Sequence, residues 1–164
     1  MTTSGRAASL AARLHRAALW IAYRMQLVAW FVLRPQRRGA FVAVWHRGRV
    51  LAIRNSYRSG LALPAGGIRR GEAPLDAALR ELREEVGISL LPDALRFAGE
   101  ITSRYEFKRD RCTFFEVELA DLPLVRPDQR EVVWADFVEA GEALRGPLVP
   151  PVRAYLEGRA KGIR

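Results

Sequence analysis

Residues 66–88 read GGIRRGEAPLDAALRELREEVGI, and this stretch decides how the rest of the chain is understood. Leu75, Leu79, Leu82 and Val86 fall at i, i+4, i+7 and i+11, which predicts a helix with one apolar stripe toward a core. Glu81, Glu84 and Glu85 fall at i, i+3 and i+4, so three carboxylates share a second face within side-chain reach. Pro74 is tolerated in the first turn, and Gly87 suits the left-handed residue that ends a helix. A solvated acidic face would cost only about 0.2–0.5 kcal/mol per like-charge pair, so the clustering alone is affordable. The preceding loop changes the weighing. Ala65-Gly66-Gly67 lets the backbone bend sharply and approach a ligand, and Glu72 stands just before the helix. A divalent cation between the carboxylates and this loop would offset their repulsion and bind phosphate oxygens.

Outward from this segment, Gly39 opens a β pattern. AFVAVWH (40–46) and VLAIRN (50–55) are β-branched and aromatic runs joined by His46-Arg47-Gly48-Arg49, which predicts a hairpin with glycine at the turn. LALP (61–64) reads as a short strand, and LRFAGEITSRYEF (95–107) and CTFFEVEL (112–119) as two longer ones. Aspartates and prolines at 121–128 form a loop before EVVW (131–134). Residues 137–144 and 150–160 look helical, the second starting at Pro150-Pro151. Strands and helices mixed in this irregular order predict an α+β or mixed α/β sandwich.

Composition restricts the chemistry. The 164 residues leave room for one ordinary domain plus an appendage. One cysteine, Cys112, and two distant histidines, His15 and His46, exclude an intramolecular disulfide and a His/Cys metal site, so any metal is a hard cation held by oxygen. Of the 27 basic residues, seven arginines (6, 13, 16, 24, 34, 37 and 38) lie among residues 1–40 with no acid, which leaves the remainder nearly balanced against 18 acids. The chain therefore divides into a basic, apolar leader (1–36) and a body (37–164).

Within the leader, Ala17 to Leu33 contains neither proline nor glycine and predicts a helix. Its 17 residues would cover roughly 25 Å, short of the ~30 Å of a bilayer core, and Arg24 sits at its middle. A membrane span is disfavoured. The absence of a cleavage site after the apolar run, with Arg37-Arg38 following it, argues against an export signal and for a cytoplasmic protein. Leu10, Leu14, Ala17, Ile21, Val28 and Val32 recur at helical spacing, with Arg6, Arg13 and Arg24 on a neighbouring stripe. Two readings stay open for residues 10–33: a helix lying in a membrane surface, or one packed on the domain or on a second copy. Nucleic-acid binding is not expected, because the arginines are interleaved with large apolar residues.

The segment 66–88 resembles the Nudix box. Gly66, Glu72, Arg80, Glu81, Leu82, Glu84, Glu85, Gly87 and Ile88 occupy its defined positions at the defined spacing. The resemblance implies an α/β/α sandwich around a mixed sheet, here with an extra N-terminal helix. It also implies Mg2+- or Mn2+-dependent hydrolysis of a nucleoside diphosphate linked to another moiety: a nucleotide sugar, an NTP or a dinucleoside polyphosphate. Carried over by position, Glu84 and Glu85 would be the principal metal ligands, and Glu81 would complete the metal shell or activate water. Arg80 would orient these glutamates, Glu72 would assist the metal or brace the loop, and Ala65, Gly66 and Gly67 would approach the substrate.

Outside the box, Tyr105 resembles a marker of dinucleoside-polyphosphate hydrolases, and packing on a strand is its plain alternative. The proline that marks ADP-ribose hydrolases is not evident where Ser103-Arg104 stands. Glu131 resembles a downstream glutamate that approaches the catalytic centre. Glu116 and Glu118 share a strand face and would point either to solvent or to the site. Arg54, Arg58 and Arg69 are candidate phosphate contacts, whereas His46 and Cys112 read as non-catalytic. The alternative to an enzyme is a binding or regulatory module of the same fold that works through its leader.

Overall fold

A computed structural model describes residues 10–162 of the chain. Its elements are helix α1 (Leu10–Leu33), strands β1 (Gln36–His46), β2 (Arg49–Asn55) and β3 (Ala65–Gly67), and helix α2 (Pro74–Val86). After a 3-10 turn (Pro92–Ala94) come β4 (Arg96–Tyr105), β5 (Lys108–Glu118), β6 (Val132–Glu139), α3 (Ala140–Arg145) and α4 (Pro150–Ala160). The sheet runs β4-β5-β1-β2-β6, with β3 added against β1. β1 and β5 are parallel from Gln36↔Arg109 to Trp45↔Glu118, whereas the other pairings are antiparallel. This is a mixed sheet flanked by helices.

The β1–β2 hairpin closes on Arg47 (φ 49°) and Gly48 (φ 78°), the left-handed pair that a two-residue hairpin loop requires. Its strands then splay. Only Trp45↔Val50 and His46↔Arg49 pair, and the space opened beside Gly39–Phe41 is taken by β3. That divergence brings the glycine segment into the sheet.

Both faces of β1 are covered. Phe41 stacks on Phe114 and Phe114 on Tyr155 of α4, with ring centroids 4.8 and 4.7 Å apart, and Trp45 Nε1 donates to Tyr155 Oη. Ala40, Val42 and Val44 point the other way, toward the side on which α2 lies, and are fully buried. Glu116 fastens α4 to the sheet: its carboxylate accepts from Arg96, from Tyr155 Oη at 2.6 Å and from Arg159 Nη1 at 2.6 Å. Glu118 is exposed and accepts from the Arg47 amide. Neither carboxylate belongs to the site. His46 is buried, with Nδ1 2.9 Å from Leu119 O and its ring edge-on to Phe137.

Several boundaries differ from those expected, each for a physical reason. LALP makes only isolated bridges, Ile53↔Ala62 and Leu61↔Leu148, and the strand is Ala65–Gly67 instead. Pro64 has no amide hydrogen to give, and its carbonyl accepts from Val42 N. Residues 137–139 are strand rather than helix, because Phe137 is buried opposite Leu51 at the end of β6. β1 and β5 each begin four residues early, their charged starts pairing with one another from Gln36↔Arg109 to Arg38↔Arg111. The β4–β5 turn uses Glu106 and Phe107, both at positive φ, without the glycine or asparagine that would have signalled it.

Helix α1 starts earlier than Ala17. Arg6, placed on its basic stripe, lies outside the described residues. Arg34 (φ 45°) and Pro35 end the helix and turn the chain into β1. Arg16, Leu19, Tyr23, Leu27 and Trp30 are half-buried and form its inner face. Tyr23 Oη donates to Glu106, Tyr23 packs on Tyr57, Phe31 meets Phe107 edge-on, and Lys108 lies over the Trp30 ring at 4.2 Å. Leu14, Ile21, Met25, Val28 and Val32, on the opposite side, are exposed. Most of the apolar stripe read from the sequence is therefore the outer face, and the helix docks through its aromatic side. No helix among the described residues is long and apolar enough to cross a membrane.

Cys112 is 1% exposed, and burial together with the charge of Asp110 pushes its thiol up to about 12. Attack on a disulfide reagent requires the thiolate. The native chain is expected to leave Ellman's reagent unreacted at pH 8, whereas denaturant releases one thiol per chain; rapid native reaction would contradict this packing.

Candidate active site

The site is built where β3 meets α2. β3 lies antiparallel to β1 in the register Gly39↔Gly67, Ala40↔Gly66 and Phe41↔Ala65. A Cβ placed on Gly66 would fall 2.0 Å from Glu81 Oε1, so only glycine lets that carboxylate lie over the strand. Helix α2 begins at Pro74 and ends at Gly87 (φ 72°), whose amide donates to Arg83 O. Its buried residues are Ala77, Ala78, Leu82, Glu85 and Val86, while Leu75 and Leu79 are only half-buried. The buried stripe is thus rotated from the one read in the sequence and includes a glutamate.

The three box glutamates consequently occupy three environments. Glu84 is exposed. Glu81 is half-buried, and burial first, then the charges of Glu84 and Glu131, outweigh Arg80 to raise its pKa. Glu85 is 4% exposed, and its Oε2 accepts from Ala65 N at 2.9 Å. Burial pushes Glu85 well above the usual carboxylate range, reinforced by the charges of Glu131 and Glu81.

Arg80 threads between these groups. Its Nε and Nη2 donate to the two oxygens of Glu72 at 2.8 and 3.0 Å, a bidentate pair. Nη2 also donates to Gly67 O at 3.1 Å, and Nη1 reaches Glu81 and, at 3.5 Å, Glu84. Glu72 further accepts from Arg69 N at 2.8 Å. The Arg80 bonds, helped by that amide, hold the Glu72 carboxyl down at about 2. One guanidinium thereby ties the loop, the glycine strand and the helix together.

A cavity of about 240 Å³ opens beside this junction. Ala65, Gly66, Gly67, Glu85, Tyr105 and Glu131 all line it. Glu131 accepts from Tyr57 Oη at 2.5 Å, and Tyr57 Oη in turn accepts from Arg58 Nη2 at 3.0 Å. Burial is the main cause that raises Tyr105. Arg37, Arg38, Arg58 and Lys108 also reach the cavity. Arg69 is exposed, and Arg54 is exposed with its guanidinium over Trp134. Sequence reasoning missed Asn55, Tyr57, Lys108 and the α1 residues Gln26 and Trp30, which line the same space. They come from α1, β2, β5 and the loop after β2, which only the fold brings together.

A mixed sheet between helices, with a carboxylate-bearing helix docked on a glycine strand, defines a Nudix-type sandwich. The NUDIX domain pattern matches residues 35–157, and the chain belongs to the Nudix family. The MutT protein of Methanosarcina mazei Go1 superposes with a TM-score of 0.69 at 20% identity, over 79% of this chain and 96% of that one. An Ap4A hydrolase of C. elegans superposes with a TM-score of 0.65 at 17% identity, over 77% and 97%. An RNA pyrophosphohydrolase of Halorhodospira halophila (strain DSM 244 / SL1) is 40% identical over 62 residues, which are 38% of this chain and 34% of that relative.

The family implies a divalent metal, and the donor set can be tested against one. Glu81, Glu84 and Glu85 are hard oxygen donors, as Mg2+ or Mn2+ requires. Two of them are raised by burial and by neighbouring negative charge, which a cation relieves. Among the described residues no three acidic, histidine or cysteine side chains are already gathered around one point. Arg80 stands among Glu72, Glu81 and Glu84, while Glu85 is turned to Ala65. The residues fit the ion in chemistry, with side-chain rotation needed to enclose it.

Because the folded Glu85 pKa lies above its unfolded value, the stability it contributes is complete below the unfolded pKa and is lost as pH rises toward the folded one. Metal-free Glu85→Gln, which keeps an acceptor for Ala65 N, is expected to melt no lower than wild type at pH 7, with its relative advantage shrinking toward pH 4. Mg2+ should raise the wild-type Tm more than that of the variant. A variant less stable than wild type at pH 7 without metal would refute this account.

Proposed function

We propose that the chain is a pyrophosphatase that hydrolyses the phosphoanhydride of a nucleoside diphosphate linked to another moiety. The observation that carries this reading is the convergence of Glu85, Glu131 and the glycine strand on one cavity that Arg37, Arg38, Arg58 and Lys108 also line. A diphosphate needs close backbone approach, positive charge around its oxygens and carboxylates to hold a metal. The names of the Ap4A hydrolase and the RNA pyrophosphohydrolase agree with chemistry at a phosphoanhydride.

Glu84 and Glu85 would hold Mg2+ or Mn2+, and Glu81 would complete the shell or take a proton from the attacking water. When bound, the metal neutralises diphosphate oxygens and lowers the pKa of a water. Arg80 keeps Glu72 and the Gly67 carbonyl in register with the helix, so the glycine strand and the carboxylates stay together as charge redistributes. Tyr57 holds the Glu131 carboxylate in place by its hydroxyl.

Glu85→Gln should lower kcat by about 100-fold or more while the protein stays folded, the size of effect expected for a central electrostatic group. The assay is a Mg2+-dependent screen of nucleotide sugars, NTPs, ADP-ribose, NADH, dinucleoside polyphosphates and a 5′-triphosphorylated RNA. Undiminished turnover by the variant would remove Glu85 from the mechanism. No turnover of any compound, with metal bound, would favour a binding or regulatory module.

A second reading concerns the outer face of α1. Leu14 (63% exposed), Met25 (69%), Val28 (67%) and Val32 (72%) leave a continuous apolar stripe uncovered. Arg13 and Arg24 flank it, together with Trp20, whose ring lies under Arg24 at 5.0 Å. Large apolar groups beside arginines and a tryptophan match the acyl–headgroup boundary of an anionic membrane. Full-length protein is expected to float with phosphatidylserine vesicles at low salt, and Val28→Asp/Val32→Asp to stay behind with unchanged circular dichroism. Equal behaviour of the two, or a dimer that the double variant dissolves, would replace the membrane with another occupant.

A further inference from the structure

Helix α1 has no place in the matched NUDIX region, which starts at residue 35, yet it reaches the cavity. Arg34 and Pro35 end the helix and turn the chain into β1, which leaves α1 beside the cavity. Gln26, which is exposed, and Trp30, half-buried one helical turn on, line the same space as Glu85 and Glu131. Trp30 is held there by the ammonium of Lys108, itself fixed by Asp110 at 2.8 Å. The Tyr23–Glu106 hydrogen bond and the Phe31–Phe107 contact clamp the helix to the β4–β5 turn.

Around Gln26 and Trp30 the lining is polar and basic, for Asn55, Tyr57, Arg37, Arg38 and Arg58 reach the same space. A helix that merely packed on the body would not explain why a glutamine and a tryptophan border this polar space. At about 240 Å³ the cavity falls below the roughly 300–1,000 Å³ of a drug-sized site, so it would enclose only part of a nucleotide.

We propose that α1 is a wall of the substrate pocket, with Gln26 and Trp30 contacting the nucleobase of a nucleoside diphosphate. The inference rests on the pyrophosphatase reading for the diphosphate and adds the residues that choose the base. Aromatic stacking tolerates any base, whereas the Gln26 amide discriminates by donor and acceptor pattern. An appended helix thereby sets specificity for a diphosphate site supplied by the common domain.

The test is calorimetric titration of the full chain, in Mg2+, with ADP, GDP and inorganic pyrophosphate. Trp30→Ala and Gln26→Ala are each expected to weaken at least one nucleotide by about ten-fold or more while pyrophosphate binds as to wild type. Ala29→Ser, exposed on the same helix and away from the cavity, controls for substitution in α1 and should change neither. Nucleotide affinities unchanged in both α1 variants would overturn the proposal, as would pyrophosphate weakened as much as the nucleotides or a wild-type chain that binds neither nucleotide. Full hydrolytic activity of Glu85→Gln would instead strike the pyrophosphatase reading, since the difference between nucleotide and pyrophosphate reports on the wall by itself.

Discussion

The short bond from the Ala65 amide to the buried Glu85 carboxylate joins the two halves of the site. It requires a helix to place a charged group against a strand that has almost no side chains. Gly66 supplies the space, since Glu81 lies where its Cβ would be. The fold supplies the strand, because β1 and β2 separate after two pairs and leave an edge for β3. Arg80 then answers part of the negative charge and binds the loop to the helix. If this apposition loosened, Glu85 and the glycine segment would no longer face one cavity.

The electrostatics of this junction are divided rather than uniform. Glu72, bonded twice by Arg80 and once by a backbone amide, is held fully ionised. Glu85, almost without solvent, resists ionisation, and Glu81 lies between the two extremes. Burial disfavours the charged form and a guanidinium favours it, so carboxylates gathered at one junction separate in proton affinity according to their surroundings. A cation would reverse that order where it binds, which ties metal uptake to stability.

Much of this was legible in advance because the decisive segment is local. The 3.6-residue period marked α2, Pro74 and Gly87 marked its ends, and the box supplied the glutamates with their spacing. The hairpin at Arg47-Gly48 was visible because glycine favours positive φ. The β4–β5 turn was not, since Glu106 and Phe107 adopt that conformation under tertiary constraint. The charged starts of β1 and β5 were likewise hidden, for they are strands only because each pairs with the other.

Helix α1 marks the boundary between the two kinds of information. Its helicity, its basic character and its apolar stripe follow from the order of residues alone, because helix period and charge are local properties. Which side would dock does not follow, since leucine and valine at helical spacing compete with tyrosine, tryptophan and phenylalanine for the same role. The body decided it by presenting Tyr57, Glu106, Phe107 and Lys108, to which aromatic rings and a phenol are complementary. The sequence by itself determined the family, the helix and the carboxylates, and only the tertiary structure decided that Glu85 faces inward and that the leader borders the pocket. The physical reason is that burial and contact depend on groups brought together from distant parts of the chain.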